Sequence, residues 1–122
     1  MLFIISKNKI KSKEKIILKK HKLAKGFFQA IGLMFFRKSK FNFALIFDRG
    51  YESIVNSSIH MFFVFFKINV LFLNNKKEIV DIKISLKPFT LYAPKKPSRY
   101  IIELPNYVNL QELKLGDKID WK

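Results

Sequence analysis

Few side chains in this sequence are equipped for chemistry. It has two histidines, His21 and His60, and no cysteine, which excludes disulfide scaffolds, thiolate metal sites and cysteine nucleophiles. His60 has no second histidine or cysteine at ligand spacing, and His21 lies among lysines that repel a cation, so neither a metal nor a cofactor is expected. Ser57 and Ser58 precede His60, but no acid that would orient the imidazole is visible and no G-x-S-x-G elbow is present. Asp81 and Glu103 are expected on the outward faces of two strands. Paired carboxylates can exchange protons, yet outward strand acids more commonly partner bases such as Lys83 or Arg99. Gly26, Gly32, Gly50 and Gly116 are too scattered for a phosphate loop. Catalysis by a carboxylate pair therefore ranks behind two binding readings.

The first binding reading comes from charge. The net charge is +15, and residues 1–40 hold twelve bases against Glu14 alone, so +11 of it lies in the first third of the chain. Such a field attracts nucleic acid, anionic lipid or acidic partners without specificity. Contacts to nucleic acid would fall on Lys7, Lys9, Lys11, Lys13, Lys19 and Lys20. Only three of the 24 bases are arginine, the residue favoured for planar phosphate and base readout. A solvated lysine face is the plainer explanation.

At 122 residues and 49% hydrophobic content, the chain reads as one domain, 1–122, able to bury its own core, with a basic N-terminal hairpin or arm over about residues 1–20. Leu2–Ile5 and Lys15–Leu18 suit short strands. Leu23, Phe27, Ala30 and Met34 are spaced as the stripe of a short amphipathic helix over Lys22–Met34. Phe41–Phe47 suits a buried strand closed by a turn at Asp48-Arg49-Gly50.

The most apolar stretch is Ile59–Leu73. Its second half alternates, with Phe66, Ile68, Val70 and Phe72 facing one way and Lys67 and Asn69 facing out. Asn74–Lys77 then joins it to a second alternating run, with Val80, Ile82, Ile84 and Leu86 inward, as an antiparallel hairpin. Pro88, Pro94 and Pro97 keep the next segment out of any ladder interior. Arg99–Leu104 and Asp117–Trp121 are further strands, and Asn109–Glu112 has the form of a capping box opening one helical turn that ends near Gly116. The sum is a mainly β fold, a small β-sandwich or rolled barrel with one or two short helices. Phe27-Phe28, Phe35-Phe36, Phe62-Phe63 and Phe65-Phe66 are read as core or as a self-association surface. Stacking platforms for single-stranded nucleic acid are the lesser alternative.

Gly32-Leu33-Met34 with Arg37 resembles the G-L-M-x-R element of an uncharacterised family catalogued as domain of unknown function 192, or uncharacterised protein family 0127. The agreement runs through Ala44–Phe47, His60-Met61, Val70-x-Phe72, Val80, Pro88, Glu103-Leu104-Pro105 and Gly116-Asp117. The Ile59–Val64 run is similar to archaeal members in particular. The resemblance implies a compact, jelly-roll-like β domain and no established activity. Where many members have Met-Lys-Asn-Thr this chain has Met61-Phe62-Phe63-Val64, and where they have Pro and Asp it has Lys67 and Asn69. The family-like positions Gly32, Leu33, Met34, Arg37, His60, Met61 and Glu103 form the second binding reading, a non-catalytic surface for an acidic ligand or a protein partner. In it Arg37 is the cation and Glu103 the orienting acceptor. No run reaches the length of a membrane span. The N-terminus is apolar before it is basic, the reverse of a secretory signal, so a cytoplasmic location is expected.

Overall fold

In a computed structural model of the chain, the structure describes residues 1–5, 14–25, 29 and 31–122. Three sheets account for its strands. β4 (Ala44–Ser53), β6 (Ile68–Leu73), β7 (Ile79–Leu86) and β9 (Ser98–Pro105) join the short β3 (His21–Leu23) in a five-stranded sheet of order β3-β4-β9-β6-β7. β1 (Leu2–Ile5), β2 (Glu14–Leu18) and β10 (Lys118–Trp121) form a three-stranded sheet with β1 in the middle, and β5 (Ile59–His60) pairs with β8 (Leu91–Tyr92). Pairing is antiparallel except between β3 and β4. The expected mainly β fold is what forms. The five-stranded sheet keeps two open edges, β3 and β7, so it does not close into a barrel.

The five-stranded sheet is covered on both faces, and period-two alternation sorts its side chains between them. Ala44, Ile46, Leu71, Leu73, Ile102 and Leu104 meet Leu2 and Ile119 of the three-stranded sheet. Leu45, Phe47, Ile68, Val70, Phe72 and Ile101 meet a layer of loops built from Leu33, Phe41, Phe43, Ile59, Met61, Val64 and Phe66. All six side chains of β6 are buried. Each large apolar one contributes about 1.5–3 kcal/mol of transfer free energy.

Several expectations change. Lys22 and Leu23 lie in β3, Gln29 and Ile31 have helical backbone, and Gly32–Phe35 is turn; Phe27 and Ala30, which completed the helical stripe, lie outside the described residues, as do Lys7, Lys9, Lys11 and Lys13. β4 continues through Asp48-Arg49-Gly50 to Ser53 instead of turning, and its register with β9 shifts between Asp48 and Ser53. The Asn109 side chain accepts the Gln111 N–H (2.9 Å), and the Leu113 N–H reaches the Leu110 carbonyl (3.0 Å), so this stretch is a succession of turns and not a helix.

Asn69 is buried, not outward, because the three-stranded sheet and the 106–108 loop cover the face that its polarity suggested was wet. The hairpin at 74–77 forms as expected. In β7 a bulge with Ser85 at φ 53° turns Ile84 outward and returns Leu86 to the core.

Candidate functional site

One cavity brings most of the family-like positions together. Gln29, Ile31, Gly32, Leu33, Phe47, Arg49, Ser58, Ile59, His60, Met61, Val64 and Glu103 line about 60 Å³ of space. Of the seven residues expected to share a surface, Gly32, Leu33, His60, Met61 and Glu103 are there. Met34 is half-buried outside the lining, and Arg37 is exposed. The cation that lines this cavity is Arg49.

The sheet fixes these positions. In β4 the residues Leu45, Phe47 and Arg49 follow one face, and Leu45 sits opposite Glu103 of β9. The Arg49 guanidinium lies over the Phe47 ring, 5.1 Å from its centroid, a cation–π arrangement that holds the side chain on the pocket wall. Gly32 closes that wall with φ 55°, and a Cβ there would stand 3.3 Å from Phe47 Cζ. At the rim, His60 Nδ1 accepts the Phe62 N–H (3.3 Å) and the imidazole stacks on the Phe62 ring at 5.3 Å. The remaining ring nitrogen, Nε2, then carries the proton.

The electrostatics of the cavity are unusual. Glu103 is 8% exposed, contrary to its expected outward placement. Burial pushes its carboxyl pKa up to about 7, and the nearby Arg49 charge only partly opposes this. Glu103 Oε2, Arg49 Nε and Gln29 Oε1 are all buried with no hydrogen-bond partner among the described residues. More than nine in ten buried polar groups in folded proteins are satisfied by protein or ordered water, so three such atoms around one small cavity single it out as the candidate site.

Other candidates resolve differently. Asp81 is buried too, but apart from Glu103: it accepts from Tyr92 Oη (2.6 Å), the Lys95 N–H (3.1 Å) and the Ile82 N–H (2.9 Å). Burial and the Asp81 bond push Tyr92 up to about 12. Asp81 and Glu103 were both expected on outward strand faces, and both are buried. Ser57 Oγ donates to the Ser53 carbonyl and Ser58 Oγ to that of Ile54 (2.7 Å), so both hydroxyls tie down the 53–58 turn. Among the described residues no group of three or more His, Cys, Asp or Glu could hold a metal ion. Arg49 and Gln29 were missed from sequence. Extending the Leu45, Phe47 alternation by one step would have found Arg49.

This arrangement can be set beside known proteins. The chain matches the model of the family DUF192, described as an uncharacterized ACR, over residues 9–121. The chain belongs to that family. It is 39% identical over 117 residues to a UPF0127 protein of Thermococcus sibiricus, covering 92% of this chain and 72% of that one. It is 40% identical over 92 residues to a UPF0127 protein of Pyrococcus furiosus, covering 75% and 76%. These archaeal relatives agree with the archaeal character of the Ile59–Val64 run.

Two crystal structures share the fold. A protein of unknown function from Novosphingobium aromaticivorans has a TM-score of 0.76 at 19% identity, covering 98% of this chain and 83% of that one. A putative transcription regulator from Sinorhizobium meliloti has 0.75 at 18%, covering 98% and 90%. No helix among the described residues is long and apolar enough to cross a membrane.

Proposed function

We propose that this member of the DUF192 family is a non-catalytic binding module that takes a small polar group into the Arg49–Glu103 cavity. The observation that carries this reading is the trio of buried atoms with no partner among the described residues, Gln29 Oε1, Arg49 Nε and Glu103 Oε2. Two are acceptors when Glu103 is ionised, and one is a donor. A terminal carboxamide has the matching complement: two N–H bonds for the two oxygens and one carbonyl for Arg49. A water-sized group needs about 10–15 Å³ of such space, so a cavity of about 60 Å³ admits a group of a few heavy atoms. Leu33, Met61 and Val64 supply an apolar wall for its stem.

Titration with propionamide, followed by backbone amide shifts, tests the reading. Saturable shifts at Gly32, Arg49 and Glu103, abolished in Arg49→Met, are expected. Unshifted resonances, or a response that survives Arg49→Met, would overturn it.

The excess of lysine in the first forty residues supports a second reading, nucleic-acid binding through the N-terminal region, where Lys19 and Lys20 are exposed. Leu2 and Phe3 are buried in the fold, so deletion of this region would confound the test with unfolding. Replacing Lys7, Lys9, Lys11 and Lys13 with Gln keeps β1 intact. Affinity for single-stranded DNA that is steeply salt-dependent and lost in that variant supports the reading; affinity unchanged in the variant rejects it.

A further inference from the structure

Outside the cavity, the feature that departs most from ordinary folding is an aromatic cluster on three loops. Phe35 stacks on Phe63 (centroids 5.0 Å apart, 20° between planes), Phe63 meets Phe89 edge-on at 6.0 Å, and Phe89 meets Phe65 edge-on at 5.5 Å. All four rings are exposed, Phe35 by 67% and Phe65 by 62%. Phe35, Phe63 and Phe89 have φ of 60°, 59° and 59°, a left-handed conformation that bulky L residues rarely adopt. Backbone bonds hold it: the Phe35 N–H to the Phe63 carbonyl and the Phe89 N–H to the Met61 carbonyl, both 2.8 Å. The 59–66 segment that carries Phe63 and Phe65 also buries Met61, Val64 and Phe66 in the core. The fold thus turns these rings outward although the next residue in the chain is core for Phe63 and Phe65 and packs against the core for Phe35.

Charge decides what they face. An exposed base stands two residues from three of the rings: Arg37 after Phe35, Lys67 after Phe65 and Lys87 before Phe89. Residues 29–47, 53–77 and 82–102 contain no aspartate or glutamate. Carboxylates such as exposed Asp48 and half-buried Asp120 lie outside these loops, where they pair with Arg99 and Lys77. Phenylalanine offers no hydrogen bond with which to read a protein partner. The mutual packing of the rings also takes up faces that a nucleic-acid base would need. Apolar tips with exposed bases two residues away and no acid in their own segments fit a negatively charged lipid surface, with rings at the acyl boundary and bases at the phosphates.

We propose that the loop face of Phe35, Phe63, Phe65 and Phe89 docks peripherally on anionic lipid bilayers. The test is flotation of the full chain with phosphatidylcholine vesicles containing or lacking phosphatidylglycerol. Binding to the anionic vesicles only is expected, with partitioning reduced about tenfold or more in F35N/F65S and about fivefold for each charge removed in R37Q or K87Q. Asparagine tolerates the backbone of Phe35 and both replaced rings are exposed, so the variant should melt as the parent does; circular dichroism checks this.

Every variant keeps the N-terminal lysines. Anionic binding undiminished in F35N/F65S would therefore assign the attraction to that region and overturn the proposal. Absence of binding to either vesicle would overturn it as well. So would a dimer, seen by sedimentation without lipid, that F35N/F65S abolishes, because a second copy would then be the occupant.

Discussion

Glu103 is a carboxyl group held where ionisation is costly. Its pKa of about 7 lies above the ordinary value of 4.5 because burial outweighs the Arg49 charge. Between those two pH values the native chain keeps a proton that the unfolded chain has lost, so stability falls as pH rises from about 4.5 to about 7. The shift corresponds to roughly 3 kcal/mol. Urea unfolding at pH 5 and pH 8 should show the parent losing about that much relative to Glu103→Gln, with other titrating groups cancelling in the comparison. Parallel behaviour of the two proteins would mean that Glu103 titrates normally. Gly32 is the second position where one residue decides the site. Gly32→Ala meets both a left-handed backbone and the Phe47 ring at 3.3 Å, whereas Gly50→Ala meets only a left-handed backbone at φ 85° with open space around it. Each should cost about 1–2 kcal/mol for conformation, measured by thermal unfolding. Gly32→Ala should cost more and should also displace the ring on which Arg49 rests.

The β6–β7 pair depends on one buried amide. Asn69 Nδ2 donates to the Val108 carbonyl (3.0 Å), and its Oδ1 accepts the Ser85 N–H (2.9 Å) and Asn106 Nδ2 (3.0 Å). It satisfies the backbone that the Ser85 bulge leaves unpaired and ties the 106–108 loop to the sheet. Asn69→Ala strands those groups, and a loss of about 2–3 kcal/mol in chemical denaturation is expected. A near-neutral substitution would show that water replaces the amide. Asn69 also shows where sequence stops being legible. Alternation in Phe66–Leu73 correctly divides the strand into two faces, and the Asn-Asn connector correctly predicts the hairpin, because both signals are local. Whether the second face is wet depends on β1 and β10, which arrive from the two ends of the chain. The same physics hid the site. Arg49 sits in Asp-Arg-Gly, which by composition is a turn, yet β4 continues through it to Ser53 past the point where its register with β9 shifts. Glu103 reads as an exposed strand acid until the 31–36 and 59–64 loops close over it. Gly32, Leu33, His60, Met61 and Arg37 all come from family resemblance, which carries no spatial information: the first four line the cavity and Arg37 is exposed outside its lining.

Across the whole molecule, charge works against compactness. The chain carries 24 bases against nine acids. Arg99–Asp48 and Lys77–Asp120, each 2.9 Å apart, are partly exposed pairs, and such pairs contribute less than about 1 kcal/mol. They cannot offset the mutual repulsion of an excess of fifteen positive charges. Salt should therefore stabilise this protein. Raising ionic strength from about 0.01 M to 0.15 M shortens the screening length from about 30 Å to about 8 Å, which silences repulsion between distant lysines while leaving close pairs largely intact. A gain of about 1 kcal/mol, or roughly 4 °C in Tm, is expected in sodium chloride. A falling Tm would mean that ion pairing outweighs the general repulsion. Sodium sulfate at matched ionic strength separates screening from site binding: equal gains belong to the diffuse field, and a larger gain for sulfate in the parent than in a Lys7, Lys9, Lys11 and Lys13 to Gln variant places a bound anion among those lysines. The same screening should weaken docking of the aromatic loops on anionic vesicles, so salt that raises Tm should lower membrane partitioning, two opposite responses from one charge distribution.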